Sequence, residues 1–422
     1  MKIVPVINLK NNIYKPSVNS FKNDKIDSFE FQNANFDKNV LISRGIISKD
    51  EDLNAFFNKT AYSIFNYDKE KLNLFSSYLK QGKISLSSNA YKNLSDPSSA
   101  LAVKLNPLNL FIQNCFYLDR YIKKGKGIGI NFSKFDNPSS EVKKFNSYFK
   151  FRESSSFRPA SGIALLDIYN KDILNFITLK DNACYKDWCF DLSVIIDDKF
   201  LSLVDGNKDV VLSDGNKINA KKIYDTLLNS MYKKGEPGII FSSNKDYICD
   251  CCAAAQLKEG EFLTLAQINL SKFVKDNKFD FEDLSKASLI LNEAIKKLDK
   301  NAYVSILGYQ DMLDKMNLKY GSDESLDLLK TIIKTIKSNN IKMAISPSGT
   351  ISRFLKTTPS IEENTKVNYI DKINTLSLIQ NLIEGQISNT IKLDQNSTIS
   401  DVDKIIRYSN KKGLKGISVF RI

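Results

Sequence analysis

An α/β fold is predicted by two observations. From about residue 100 onward, short runs rich in apolar and β-branched residues alternate with stretches of helical periodicity. Such alternation implies parallel strands, because a parallel neighbour needs a long return connection that a helix supplies. The strand-like runs are also numerous, and eight or more of them suit a barrel better than an open sheet. In chain order they are Gly127-Ile-Gly-Ile-Asn-Phe132, Ile163-Ala-Leu-Leu-Asp-Ile168, Leu192-Ser-Val-Ile-Ile196, Gly238-Ile-Ile-Phe241, Leu265-Ala-Gln-Ile-Asn-Leu270, Val304-Ser-Ile-Leu307, Lys342-Met-Ala-Ile345 and Gly416-Ile-Ser-Val-Phe420. Helical patterns fall between several of them, at 223–232, 284–298 and 326–336.

The N-terminal part reads differently. Residues 1–40 are polar and rich in Asn and Lys, which predicts an irregular extension. Residues 41–100 read as a small helical region, with apolar side chains at helical spacing through Phe56, Ala61, Ile64, Phe65, Leu72, Phe75 and Leu79. Ser48 with Glu51 three residues on has the form of a capping box. Residues 101–422 form the α/β domain. Neither an internal repeat nor a heptad array is seen.

Composition narrows the function classes. A chain of 422 residues with 42% hydrophobic content can bury a large core. No apolar run approaches the roughly 18 residues that cross a bilayer, and the N-terminal apolar stretch is too short for a signal peptide, so a cytoplasmic protein without membrane contact is expected. The net charge of +13 comes from 61 basic and 48 acidic residues mixed along the chain without a Lys/Arg block. That favours a solvated surface or small anionic ligands over a nucleic-acid polymer. Histidine is absent, which removes His metal ligands, Ser-His-Asp triads and His general bases. Six cysteines in a chain of this size are no disulfide scaffold. Cys249-Asp-Cys-Cys252 has metal-like spacing and Cys184 with Cys189 could add a second pair, but no metal centre is assigned.

Two C-terminal segments carry the functional signal. Ser346-Pro-Ser-Gly-Thr-Ile-Ser352 follows an apolar run and gathers hydroxyls and free backbone N–H groups, the makings of a phosphate cradle. Gly413-Leu-Lys-Gly-Ile-Ser-Val-Phe-Arg421 is a short strand entered through two glycines. Other motifs precede them in a fixed order: Gly45-Ile-Ile-Ser-Lys-Asp-Glu, Asn114-Cys-Phe-Tyr-Leu118, Gly125-Lys-Gly-Ile-Gly-Ile-Asn-Phe-Ser133, Asp172-Ile-Leu-Asn-Phe-Ile-Thr-Leu-Lys180, Phe190-Asp-Leu-Ser-Val194, Gly235-Glu-Pro-Gly238, Gln267-Ile-Asn-Leu270, Gly308-Tyr-Gln-Asp-Met-Leu313 with Tyr320-Gly-Ser322, Ser360-Ile-Glu-Glu363 and Ser388-Asn-Thr-Ile391. In this order the chain resembles the catalytic subunit of ribonucleotide reductase, most closely its cobalamin-dependent class. The resemblance implies a ten-stranded α/β barrel with a finger loop through its centre, acting on ribonucleoside di- or triphosphates by a cysteine thiyl radical.

Residue roles follow from the resemblance alone. Aligning Leu257 and Ile268-Asn-Leu270 with the family puts Cys252 at the radical cysteine. Asp250 then stands where the family has asparagine, Cys251 for proline, Ala253 for glycine and Ala254 for the glutamate that acts as general base. Asp250 is the nearest carboxylate that could take over. Cys115, in a segment resembling the first barrel strand, matches one redox cysteine, whereas Leu263 stands where its partner belongs. Ser87 and Ser88, with Ser346, Ser348, Gly349, Thr350 and Ser352, match phosphate-facing segments, and Arg158 stands for an arginine that helps read the base. Segments resembling the family's ATP cone, its full specificity loops and its cysteine tail are not found. The last strand lacks the family's tyrosine pair, so adenosylcobalamin is the expected radical source. A homodimer and a separate reductant or radical-generating partner are left open. So are a nucleotide-binding relative that has lost reduction and one piece of a split enzyme.

Overall fold

The computed structural model describes residues 34–153, 158–363 and 367–421, so most of the expected N-terminal extension lies outside the described residues. Three helices come first: α1 (Lys38–Ser43), α2 (Leu53–Phe65) and α3 (Lys69–Lys80). Each starts on an aspartate, Asp37, Asp52 or Asp68, whose carboxylate accepts a backbone N–H of the first turn. Asp52, not Ser48, caps α2. Glu51 does reach the Ser48 N–H at 3.4 Å, but the Asp52 carboxylate takes the Ala55 N–H at 2.9 Å, and that charge-assisted cap sets the helix start. Helices α2 and α3 close on each other through Phe57, Ala61, Phe65, Phe75 and Leu79, all buried.

The chain then runs through β1 (Ile84–Leu86), α4 (Ser88–Lys92), β2 (Ala100–Val103), α5 (Phe111–Ile122), β3 (Gly127–Asn131), α6 (Pro138–Arg152), β4 (Gly162–Asp167), α7 (Ile173–Ile177), β5 (Phe190–Ile196) and α8 (Asp198–Asp205). A small hairpin of β6 (Asp209–Val211) and β7 (Lys217–Asn219) leads into α9 (Ala220–Lys234) and β8 (Gly238–Phe241). After a long loop come β9 (Phe262–Leu263), β10 (Leu265–Asn269), the β11 (Val274–Lys275) and β12 (Lys278–Phe279) hairpin, α10 (Phe281–Leu298), β13 (Tyr303–Leu307), α11 (Tyr309–Met316) and α12 (Asp323–Lys337). The last elements are α13 (Gly349–Leu355), α14 (Tyr369–Gln380), β14 (Thr390–Leu393), α15 (Ile399–Lys411) and β15 (Gly416–Arg421).

Strands β2, β3, β4, β5 and β8 pair in parallel, in that order. The antiparallel β15 extends the sheet beyond β8, with β14 parallel to β15, while β9 lies antiparallel on β2 at the other edge. This makes eight strands in one sheet; a second sheet has the order β1-β10-β13. Apolar runs with helices on one face are what buried parallel strands require. The α/β class is therefore as expected, with a large, mainly parallel sheet. A closed barrel of ten regular strands is not formed by the described residues: the expected strand at 342–345 is reduced to isolated parallel bridges, Val304 to Met343 and Ile345 to Ile387.

The segment 114–118 is a correction. It lies inside α5, with Asn114, Cys115, Leu118 and Ile122 buried at helical spacing. The strand before it is the alanine-rich Ala100-Leu-Ala-Val103, whose composition is not that of a typical strand. Among the described residues no helix is long and apolar enough to cross a membrane.

Candidate active site

Between β8 and β9 the chain turns inward across the large sheet. Asn131, at the end of β3, holds the entry by donating from Nδ2 to the carbonyls of Lys245 and Tyr247, both at 2.9 Å. A bridge between Cys249 and Gln256 and a Leu257 N–H to Ile248 carbonyl bond of 3.1 Å tie the two arms into a narrow finger. The apolar side chains of the loop meet the inner face of the strands. Tyr247 and Cys249 pack with Ile163, Leu165, Ile195 and Ile240, whereas Cys251, Ala255 and Leu257 pack with Ala100, Ala102, Leu263 and Leu265. On the far side the Tyr247 hydroxyl bonds to Gln386 at 2.5 Å, and the Gln386 N–H donates to the Ala254 carbonyl at 2.8 Å.

Two glycines make this path available. In β3, Gly127 and Gly129 alternate with Ile128 and Ile130, so both glycines face the loop. A Cβ on Gly129 would sit 1.8 Å from the Cys249 carbonyl oxygen, and one on Gly127 would sit 2.1 Å from the Cys251 Sγ. The motif Gly-Ile-Gly-Ile thus combines an outward face that packs on helices with an inward face that has no side chain at all.

At the tip, Asp250 organises the turn. One carboxylate oxygen accepts the Ala255 N–H at 2.7 Å and the other the Cys252 N–H at 3.0 Å. Burial pushes its pKa up to about 6 against the pull of these N–H groups. Ala253 follows with φ of +54°, the left-handed region, at the position where the resemblance has glycine. Ala253→Gly is therefore expected to stabilise the protein by about 1 kcal/mol, read as a raised urea midpoint with an unchanged slope.

Cys251 and Cys252 lie with their sulfurs 3.6 Å apart. The contact with Cys251, then burial, then the Asp250 charge hold the Cys252 thiol well above the ordinary cysteine range, with Arg158 opposing. Asp250, Cys251 and Cys252 bring three ligand-type atoms within 4.8 Å of one another. Both Asp250 oxygens already accept backbone N–H groups that fix the turn. Cys184 is exposed and Cys189 is not in this group, so the second cysteine pair considered from spacing is not brought here.

The tip stands between two cavities. The first, of about 320 Å³, joins most of the expected residues: Ser87, Ser88, Arg158, Asp250, Cys252 and the loop from Ser346 to Ile351. Ser348, with φ of +47°, turns that loop, and its hydroxyl lies 3.3 Å from the Gln267 amide. Gly349 opens into the cavity, with no atom within 4 Å of where its Cβ would be. Ser352 is not in the lining; its hydroxyl bonds back to the Gly349 carbonyl at 3.2 Å inside α13. Cys115 is not there either. It is buried on α5, where burial first and then Asp119 raise its pKa to about 11. Ala100 and Leu263, paired across β2 and β9, occupy the wall beside Cys251 and Cys252. Sequence reasoning missed Arg44, which lines the same cavity; it sits alone after a short helix, and no motif marks it.

The second cavity, of about 670 Å³, reaches Cys251, Cys252 and Ala253 from the opposite side. Its walls include Asp191, Glu236, Glu362, Ser388, Asn389 and Ser418. Desolvation, then the Glu236 charge, push the Asp191 carboxyl up to about 6. Because this folded value lies above the ordinary 3.8, the native state holds the proton more tightly than the unfolded chain. That contribution is full below about pH 4 and is lost as pH rises through 6. Asp191→Asn should accordingly raise stability at neutral pH by on the order of 1 kcal/mol, discounted because cavity solvent reaches the group, and change little at about pH 4. Urea midpoints at the two pH values read this out.

Comparison with known proteins adds a family likeness. Residues 117–306, which run from α5 through the finger loop to β13, match the model of the ribonucleotide reductase barrel domain. A vitamin B12-dependent ribonucleoside-diphosphate reductase of Thermoplasma acidophilum is 25% identical over 269 residues, 52% of this chain and 35% of the relative. One of the same name from Mycobacterium tuberculosis is 23% identical over 271 residues, 54% of this chain and 39% of the relative. The chain thus aligns with well under half the length of these relatives. Over about half its length the chain is thus similar to ribonucleotide reductases, and the two relatives are vitamin B12-dependent reductases by name.

Proposed function

We propose that the chain reduces ribonucleotides, with Cys252 as the thiyl-bearing residue at the finger tip. The observation that carries this reading is the position of Cys252 at the head of an inward loop, in one cavity with the Ser346–Ile351 segment. A ribose held by that segment through its phosphates would present its carbons to the sulfur. The isolated bridges at Met343 and Ile345, between β13 and the segment leading to β14, mark where a ten-strand closure would run. Adenosylcobalamin, when bound, supplies radical initiation. The second cavity, of about 670 Å³, would take only the adenosyl end of such a group: it touches Cys252, and the Asn389 amide oxygen in its wall is buried without a hydrogen-bond partner. Asn389, Ser388 and Ser418 would hold it there.

Cys252 lends a hydrogen and must recover it, so its electron cannot be spent on the substrate. Loss of the 2′-hydroxyl as water consumes two electrons and two protons. Cys251 alone cannot supply both, and Ala100 and Leu263 fill the wall beside the pair. The reductant in this proposal is therefore external. A small dithiol gives up two hydrogens and leaves as a disulfide, or formate leaves as carbon dioxide with a second proton from solvent. Asp250 is kept as the carboxyl nearest the reacting centre. Its role is to hold the Cys252 N–H and shape the tip; proton transfer from the ribose would use its remaining lone pairs.

The test is anaerobic turnover of each of the four ribonucleotides with adenosylcobalamin, dithiothreitol and formate being supplied separately. Deoxyribonucleotide formation with either reductant supports the reading. A nucleotide-binding relative without reduction is favoured by one observation, Ala254 at the expected glutamate. Nucleotide binding with no product under any condition would select it. Gly349→Val distinguishes binding from folding. Its Cβ meets no protein atom, so stability should be unchanged, while nucleotide affinity should fall roughly tenfold or more as phosphate-to-backbone hydrogen bonds worth about 1.5–3 kcal/mol are lost. Calorimetry with unchanged affinity would remove the loop from the site. A homodimer, a cytoplasmic location and a separate partner that supplies electrons belong to the same proposal.

A further inference from the structure

The mouth of the substrate cavity carries more positive charge than the resemblance supplies. Arg44 follows α1, Arg158 precedes β4 and Arg353 lies on α13, yet all three converge on the loop that contains Gly349. Arg44 and Arg158 line the cavity together with Ser87, Ser88, Ser348 and Gly349. The Arg353 Nε donates to the Gly349 carbonyl at 3.2 Å. Helix α1 is carried to this point by its packing on α13, fixed by the Asp37 N–H to Phe354 carbonyl bond of 2.9 Å. Arg158 donates to the neutral Asn89 amide oxygen at 3.2 Å. Among the described residues none of the three arginines forms a salt bridge with a carboxylate. Elsewhere arginines do find such partners: Arg407 pairs with both Asp205 and Asp403, and Arg152 with Asp119.

We propose that Arg44, with Arg353, binds the terminal phosphate of a nucleoside triphosphate and sets a preference for triphosphates over diphosphates. The inference rests on the nucleotide reading above and extends it to the substrate class. Neutral donors line the cavity, from the buried Ser87 and Ser346 hydroxyls to the half-buried Ser348 hydroxyl and the exposed Gly349. They can satisfy the phosphates closest to the ribose. Arg353 is exposed and Arg44 half-buried, whereas Arg158, also half-buried, lies near enough to Cys252 to act on its thiol. A third phosphate, farther from Cys252, would therefore meet Arg44 and Arg353, two cations that have no carboxylate partners, and guanidinium forks match phosphate oxygens two at a time. Burial, and then repulsion from Arg158 and Arg353, lower the pKa of Arg44, as expected where like charges await an anion.

The test is calorimetric titration of matched di- and triphosphates of each base, at fixed salt, with the wild type, Arg44→Ala and Arg44→Lys. The triphosphate should bind about tenfold more tightly to the wild type. Arg44→Ala should remove most of that advantage while leaving diphosphate affinity within about threefold, and Arg44→Lys should keep part of it. Inorganic tripolyphosphate should compete better than pyrophosphate against the wild type. Equal affinity for the two nucleotides, or a preference that Arg44→Ala leaves intact, overturns the inference while the nucleotide reading stands. Failure of every nucleotide to bind the folded wild type overturns both.

Discussion

Cys252→Ser should abolish deoxyribonucleotide formation, a loss of several orders of magnitude, while leaving nucleotide affinity within about twofold of the wild type. The change removes a sulfur and leaves an oxygen of similar size in a site packed by Cys251 and Ala253. An O–H bond is too strong to serve as the hydrogen donor and acceptor that the ribose step requires, so the chemistry stops even where the geometry survives. The proposed phosphate contacts, at Ser87 and at the loop from Ser346 to Ile351, are left untouched. Cys251→Ser is the informative companion. If Cys251 only packs beside Cys252, turnover should persist with an external reductant. Turnover by Cys252→Ser equal to wild type would end the thiyl reading.

The contrast between Cys252 and Cys115 shows what the sequence could and could not reveal. Cys252 was located by register: Leu257 and Asn269 are fixed by a strand and a loop of defined length, so an offset from them carries over to space. Cys115 had only a local apolar pattern to support it, and Asn-Cys-Phe-Tyr-Leu fits a strand as well as a turn of amphipathic helix. The burial of Asn114, Cys115, Leu118 and Ile122 shows that helical spacing was the correct period. Strands β3, β4, β5, β8, β10, β13 and β15 were legible because β-branched runs bounded by glycine have few other uses in a large α/β chain. Strand β2 and the bridges at Met343 and Ile345 were not, because alanine-rich or two-residue pairings are set by the neighbours they meet and not by local preference. The arginine cluster was invisible for a related reason: Arg44, Arg158 and Arg353 lie far apart in sequence, and only the fold brings Arg44 and Arg158 to one cavity beside the Gly349 carbonyl that Arg353 holds.

Gly129→Ala should be the most destabilising single methyl in the protein, costing roughly 3 kcal/mol or more if the finger holds its place. The added Cβ would fall 1.8 Å from the Cys249 carbonyl oxygen and 2.9 Å from its carbon, both backbone atoms. A side chain can rotate away from such a clash, but this backbone is fixed from both ends. Asn131 holds the entry at Lys245 and Tyr247, and Gln386 holds the tip at Tyr247 and Ala254. Gly127→Ala meets the Cys251 sulfur instead, which a rotation can move, so it should cost less. Gly215→Ala is the control: its φ of +86° imposes strain alone, with no atom within 4 Å of the new Cβ, and about 1 kcal/mol is expected. Urea midpoints should rank Gly129→Ala below Gly127→Ala and Gly127→Ala below Gly215→Ala. The protein has one alternative to unfolding, which is to expel the finger from the sheet. Cys252, half-buried in the native fold, would then react faster with a thiol reagent in the folded protein, and turnover would vanish. A Gly129→Ala protein with wild-type midpoint, a protected Cys252 and normal turnover would show that the finger does not pass against β3, and the assignment of Cys252 to the centre of the fold would fall with it.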